Sequence, residues 1–120
     1  MTVFLGNRTV YKGSITPPAL GQETAIIEIA DQAEPVILEG YLDLSGLQAG
    51  DAVTVKEYIN VDGTGLKLYA QNEYSDAQSA PVLRFHSKTL QEGYKVTITQ
   101  TAGTLRSIGY WFIMLEYEFT

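Results

Sequence analysis

The sequence contains no cysteine and a single histidine among its 120 residues. The absence of cysteine excludes a disulfide framework, a thiolate metal site and a thiol nucleophile, and it leaves the redox compartment undetermined. One histidine is too few for a polyhistidine metal site, and a working catalytic site needs several cooperating groups. We therefore expect no cofactor, no bound metal and no enzymatic activity.

Clusters of positive charge are also missing. The 8 lysine and arginine residues are never adjacent, and 14 acidic residues give a formal net charge of −6. Binding to nucleic acids or to anionic membranes depends on basic side chains that neutralise phosphates. The sequence also lacks a membrane-length apolar run and a basic-then-apolar leader at its start. These absences predict a soluble protein, made in the cytoplasm, that binds neither nucleic acid nor membrane.

The composition is that of a folded β-domain. Hydrophobic residues make up 45% and charged residues 18% of the chain, and 11 glycines and 4 prolines separate short apolar stretches. No stretch has helical periodicity, whereas many alternate apolar with polar residues. The pattern predicts an antiparallel all-β sandwich or jelly roll of about seven to eight strands over residues 24–120. Residues 1–23, which include Pro17 and Pro18, are predicted to form an extended N-terminal arm or an edge strand.

Alternation also predicts which side chains face the core. These inward residues are, in chain order, Ala25, Ile27, Ile29, Val36, Leu38, Gly40, Leu42, Leu44, Val53, Val55, Ile59, Leu66, Leu68, Ala70, Leu83 and Phe85. The sequence Asp-Gly-Thr-Gly at residues 62–65 is the strongest hairpin signal in the chain.

The segment from Tyr94 to Phe119 is predicted to form a final hairpin that turns at residues 102–104. Glu116 and Glu118 are expected to face water. Every second residue counted back from Phe119 is then expected to face inward. These residues are Trp111, Ile113, Leu115, Tyr117 and Phe119. The opposite face carries an apolar row with no polar member, which is Ile108, Tyr110, Phe112 and Met114. Such a row needs a cover from its own chain or from another molecule, and we predict that it is an interface.

Charged residues near the strands favour structural roles. His86 is predicted to face outward beside Arg84 and Lys88, two cations that disfavour its protonated form, and is therefore expected to be a surface residue. Alternation sends Glu57 inward. This indicates a bulge or an edge position, or a pairing with Arg84 or Arg106 at the margin of the core. Pairs of turn carboxylates could meet Ca²⁺, but turn formation explains those aspartates better.

Tyrosines supply the best signal of binding. Tyr41, Tyr58, Tyr69 and Tyr110 are all predicted to face outward. Tyrosine covers its ring while its hydroxyl stays wet, which is why it is enriched at interfaces. Together with the apolar row, these side chains favour a binding surface. A second hypothesis is carbohydrate binding, in which Tyr41, Tyr58, Tyr69 or Trp111 provides a stacking platform.

Residues 42–51, the strand 53–58, and the segment 94–104 with its following aromatic strand resemble a pattern found in structural proteins of tailed bacteriophages. The resemblance is to capsid decoration (cement) proteins. It implies a jelly-roll-like fold, a trimer on the outer capsid surface of the virion, and contacts that hold neighbouring major capsid proteins together. It implies no catalytic residue.

This resemblance assigns expected roles to two sets of residues. The partner interface is expected to contain Ile108, Tyr110, Phe112, Met114, Tyr41, Tyr58 and Tyr69. The arm is expected to contact the shell through Val3, Phe4, Leu5, Arg8 and Tyr11. The acidic net charge favours a position outside the shell, away from the packaged genome. The alternative function is a carbohydrate-binding or adhesion module, including a tail or baseplate component.

Overall fold

The computed structural model describes residues 3–119, with the side chains of residues 6–117, as eight β-strands. The strands are β1 (Val3–Ile15), β2 (Thr24–Ile29), β3 (Val36–Asp43), β4 (Ala52–Ile59), β5 (Lys67–Ser75), β6 (Val82–Leu90), β7 (Tyr94–Ala102) and β8 (Ile108–Phe119). Residues 3–119 contain no helix, and therefore none that could cross a membrane.

The strands form two four-stranded antiparallel sheets. Sheet A has the order β1-β8-β3-β6, and sheet B has the order β2-β7-β4-β5. Eight strands in two sheets with this order make a jelly roll, so the predicted fold class is confirmed. β1 pairs with β8 and forms one edge of sheet A. Residues 1, 2 and 120, and the side chains of Val3, Phe4, Leu5, Glu118 and Phe119, lie outside the described residues.

Among the eight described strands, one pair of strands consecutive in the chain lies in the same sheet. This pair is β4 and β5, joined across the turn 62–65 whose sequence signals a hairpin. The predicted hairpin of the last two strands is wrong, because β7 belongs to sheet B and β8 to sheet A. Residues 103–107 therefore cross from one sheet to the other.

The core lies between the inner faces of the sheets. The alternation in β3 is confirmed, since Val36, Leu38 and Leu42 are buried. Between them, Gly40 makes room for the ring of Phe112: a Cβ atom on Gly40 would lie 2.5 Å from Cγ of that ring. The Phe112 ring in turn packs on Phe85 with the ring centroids 5.3 Å apart.

The face assignment of β8 is wrong. Ile108, Phe112 and Met114 are buried in the core, and Tyr110 is half-buried against it, so this apolar row is covered by its own chain. Trp111 lies on the opposite, outer face. The error came from Glu116, which shares the inward side of β8 but is only half-buried. It pairs with Val36 at the very start of β3, where the sandwich ends and a carboxylate can reach water.

Each edge strand carries a β-bulge. The pairing slips by one residue between Leu5 and Arg8 in β1, and similar slips occur in the other three edge strands, β2, β5 and β6. A bulge reverses the faces of the residues beyond it. In β2 the consequence is that Ile26 and Ile27 are both buried and Ala25 is exposed, contrary to the prediction for Ala25. In β6 it turns Lys88 inward while His86 stays exposed.

Candidate interaction site

Four of the large exposed apolar side chains lie in one short stretch of the chain, at the turn and first residues of β5 in the β4–β5 hairpin. We call the following four residues the hairpin surface: Val61 (79% exposed), Leu66 (43%), Leu68 (54%) and Tyr69 (56%). Tyr69 is exposed, in agreement with its predicted orientation, but the inward prediction for Leu66 and Leu68 is wrong. The bulge in β5 leaves Tyr69 without a partner on β4, so Leu68 pairs with Tyr58 on the outer face of sheet B.

Tyr58 is held by neighbouring side chains. Its hydroxyl donates to Oε2 of Glu23 at 2.5 Å, and the hydroxyl of Thr97 donates to the same oxygen at 2.6 Å. These two hydrogen bonds, first that from Thr97, lower the pKa of Glu23. Nζ of Lys95 lies over the Tyr58 ring at 5.1 Å from its centroid. Tyr58 therefore fastens the segment before β2 to sheet B and is half-buried, so it makes a poor platform for a ligand.

A second exposed cluster lies on the outer face of sheet A. Trp111 is 37% exposed and its strand partner Tyr41 is 43% exposed. Their ring centroids are 6.4 Å apart and the planes are tilted by 35°. Beside them, Gly109 and Asp43 are strand partners and line the same shallow depression. We call this depression the aromatic trough. The prediction that Tyr41 faces outward agrees with its exposure.

A polar cluster at the margin of the core explains why Glu57 faces inward. The hydroxyl of Tyr94 donates to Oε1 of Glu57, and Nζ of Lys88 lies 3.7 Å from the same oxygen. Lys88 also lies over the Tyr94 ring, 5.1 Å from its centroid. Burial lowers the pKa of Lys88, and burial followed by the bond to Glu57 raises the pKa of Tyr94. Neither Arg84 nor Arg106, the partners considered from the sequence, makes this contact.

A second buried polar cluster holds the crossing segment 103–107. Asp51 accepts hydrogen bonds from the backbone N–H groups of Gln48 (2.8 Å) and Thr104 (2.9 Å) and from Nε of Arg106 (2.6 Å). The bond from Gln48 and then that from Arg106 lower the pKa of Asp51. The buried side chain of Gln100 donates to the backbone oxygens of Ala102 and Thr104 and accepts from the N–H of Arg106. These bonds satisfy groups that would otherwise be buried without partners.

Sequence reasoning missed this cluster, although it contains the buried residues that determine the path of the chain between sheets. The signal available was weak. Asp51 follows Gly50 in a loop and has the pattern of a turn residue, and Gln100 is a polar residue near the end of a strand, although alternation places it on the face of Val96 and Ile98. Only the strand order shows that both meet the segment 103–107.

Among residues 6–117, no group of three or more His, Cys, Asp and Glu side chains is placed to hold a metal ion. Asp62 accepts from both the N–H and the hydroxyl of Thr64 and so serves its own turn. Of the predicted shell-contacting residues, Arg8 is exposed and Tyr11 is half-buried against the core.

Comparison with known proteins gives likeness of fold only. No known protein family matches the sequence, and no curated protein matches it. A chain of infectious bursal disease virus, Gx strain, superposes with a TM-score of 0.56 and 14% identity over 92% of this chain. The match spans 32% of that viral chain. A Bacillus endospore appendage from a family of disulfide-linked pili superposes with a TM-score of 0.51 and 20% identity, over 98% of this chain and 95% of that one. The chain thus shares its fold with part of this viral chain and with the endospore appendage.

Proposed function

We propose that the protein is a non-enzymatic structural subunit of a virion, a capsid decoration protein that forms trimers on the outer shell and stabilises contacts between major capsid proteins. The observation that carries the proposal is the hairpin surface, where residues 61–69 contain four large exposed apolar side chains. A concentration of exposed apolar residues marks interaction sites in soluble proteins. The fold shared with a viral chain and a pilus subunit supports an assembling role.

The four edge strands favour assembly through side chains. A regular edge strand offers a row of unpaired N–H and C=O groups to a strand of another molecule. Here a bulge interrupts each edge, in β1, β2, β5 and β6. Bulges are one of the devices by which proteins block strand addition. The contacts between subunits are therefore expected to use the faces and the hairpin. The absence of cysteine also means that copies of this chain cannot be joined as disulfide-linked pili are.

The hairpin surface is too small to hold a trimer by itself. Covering the exposed half of Leu66, Leu68 and Tyr69 contributes on the order of 1 kcal/mol per side chain. Association costs roughly 4–15 kcal/mol in lost translational and rotational freedom. The protein should therefore associate weakly in free solution, and trimers should form on a shell, where the partner fixes several copies side by side.

The experiment combines sedimentation velocity with a shell-binding assay. Shells of the encoding virus, stripped of this protein, are mixed with the purified chain and heated, and the temperature of shell disruption is measured. We expect the wild type to bind and to raise that temperature. The double variant Leu66→Ser/Leu68→Ser should lose both effects.

A matched control is Val82→Ser, because Val82 is 57% exposed but lies on β6 in the other sheet. It should behave as the wild type. The proposal is overturned if the chain fails to bind the shells and also remains monomeric at about 500 μM, a concentration that reveals even millimolar-range association. Filaments seen by electron microscopy in place of trimers would contradict the decoration role and support a pilus-like one.

A further inference from the structure

The outer face of sheet A has a gap in its layer of side chains. Residues 109 and 111 of β8 point outward, since Ile108 and Phe112 are in the core. Gly109 has no side chain, and its strand partners are Asp43 on β3 and Ser14 on β1. The gap above Gly109 forms part of the aromatic trough and is open to solvent.

Two aromatic rings form one side of this gap. Trp111 follows Gly109 by two residues on the same face, and Tyr41 lies beside it on β3. Within residues 6–117, neither the indole N–H of Trp111 nor the hydroxyl of Tyr41 is engaged in a side-chain hydrogen bond, in contrast to Tyr58 and Tyr94. Both rings therefore present an apolar surface together with a free polar group.

Hydrogen-bond acceptors and hydrogen-bond donors both lie beside the rings. The Asp43 carboxylate accepts a hydrogen bond from the N–H of Ser45 at 2.9 Å, and Asp43 lines the depression. Hydrogen bonds from Ser45 lower the pKa of Asp43, so it is a carboxylate at neutral pH. Lys12 pairs with Trp111 across β1, and Arg84 pairs with Tyr41 across β6, and both are exposed. One acceptor and two donors thus lie beside the two rings.

We propose that the aromatic trough binds a neutral pyranose glycan. A pyranose ring has one apolar C–H face, which can cover an aromatic ring, and a rim of hydroxyl groups that both donate and accept hydrogen bonds. The trough has this arrangement. Trp111 and Tyr41 can cover the apolar face of the sugar ring. Asp43 can accept hydrogen bonds from the sugar hydroxyl groups, and Lys12 and Arg84 can donate hydrogen bonds to them. Asp43 lines the depression itself, whereas Lys12 and Arg84 stand at its margin, so a neutral sugar is favoured over an acidic one.

A second copy of the protein fits this face less well. A stable protein interface buries about 800 Å² on each partner and excludes charged residues from its centre. The trough offers two aromatic rings and Val82, and Lys12, Arg84 and Asp43 stand directly beside them. The centroids of its two rings lie 6.4 Å apart, so its apolar part is far smaller than such an interface. The proposal is independent of the hairpin surface, which lies on the other sheet.

The single tryptophan of the chain provides a direct readout, because Trp111 is itself in the trough. The probes are maltohexaose, cellohexaose, chitohexaose, mannohexaose and xylohexaose, each titrated to about 10 mM, with hexagalacturonate as an acidic comparison. We expect at least one neutral probe to shift the emission of Trp111 to the blue and to reduce its quenching by acrylamide, with a Kd on the order of 1 mM. Hexagalacturonate should bind more weakly.

The decisive variant is Gly109→Val. A Cβ atom at residue 109 would lie 3.6 Å from Cβ of Asp43, an ordinary contact, so the variant should fold, and β-branched residues suit a strand. It fills the gap and should weaken binding by at least about tenfold, measured by calorimetry. Tyr41→Ala should have a similar effect. The control, Leu68→Ser on the hairpin surface, should bind like the wild type.

Two results would overturn the proposal: no response of Trp111 to any neutral probe, or binding that persists unchanged in a folded Gly109→Val variant. The two tests are independent of each other. A failure to bind shells does not bear on glycan binding, and a failure to bind glycans does not bear on the shell-binding assay.

Discussion

Replacing Gly40 by alanine should test how tightly β3 and β8 are packed. A Cβ atom on residue 40 would lie 2.5 Å from Cγ of Phe112 and 2.5 Å from the backbone oxygen of Trp111. Ordinary carbon contacts are about 3.5–4.0 Å, so both neighbours would have to move by roughly 1 Å. The ring of Phe112 is buried against Phe85, and the oxygen belongs to the backbone of a central strand, so neither can move freely.

Overpacking of a core typically costs about 1–3 kcal/mol, and the backbone conflict places Gly40→Ala at the upper end. We expect a loss of about 3 kcal/mol in the free energy of unfolding, which lowers the melting temperature by roughly 10 °C for a domain of this size. Urea unfolding followed by circular dichroism gives the free energy, and calorimetry gives the melting temperature. Adding Phe112→Leu to Gly40→Ala should recover part of the loss, and the double-mutant cycle gives the coupling.

Gly109→Ala is the matched control, since its new methyl group would meet nothing closer than 3.6 Å. It should leave the melting temperature unchanged or raise it slightly. A melting temperature for Gly40→Ala within about 2 °C of the wild type would refute the packing described for β3 and β8.

Two further predictions concern the buried polar clusters. Tyr94→Phe removes the hydroxyl that donates to Glu57 and should lower the free energy of unfolding by about 1–2 kcal/mol in urea titrations, whereas Tyr69→Phe, at an exposed site, should not change it. Asp51 has a folded-state pKa below its unfolded value, so its contribution is complete above about pH 4 and is lost as the pH falls through the folded-state pKa. Asp51→Asn should therefore destabilise the protein at pH 7 and reduce the drop in melting temperature between pH 7 and pH 3. An undiminished drop would show that other carboxylates, such as Glu23, cause the acid sensitivity.

The sequence predicted the buried face of a strand best where the strand lies inside its sheet and no bulge interrupts its alternation. β3 lies inside sheet A and alternates without interruption along Val36, Leu38 and Leu42, so its buried face could be read directly. β2 and β5 are edge strands, and bulges there reversed the faces expected for Ala25 and Leu68. A bulge is specified by pairing with a distant strand, so it leaves little trace in local periodicity.

The position of a strand end within the sandwich was the second feature that limited prediction from the sequence. Glu116 gave the wrong register for β8 because the end of that strand reaches solvent on both sides. Because of this error, Phe112 was predicted to lie at an interface although it lies in the core, and Trp111 was predicted to face the core although it lies on the outer face. As a result, the exposed tyrosines Tyr41 and Tyr69 could be predicted from the sequence, but the trough and the hairpin surface could not.

The pairing of β1 with β8 has a consequence for how the chain folds. These strands run side by side from Val3 opposite Phe119 to Ile15 opposite Ile108, so the two most distant parts of the sequence are neighbours. Apart from the β4–β5 hairpin, each pairing in the described chain must wait for a strand made much later. Folding dominated by such remote pairings takes about milliseconds to seconds. A nascent chain that has not yet released β8 leaves β1 and β3 without the strand that joins them, and sheet A can close only once β8 has been made.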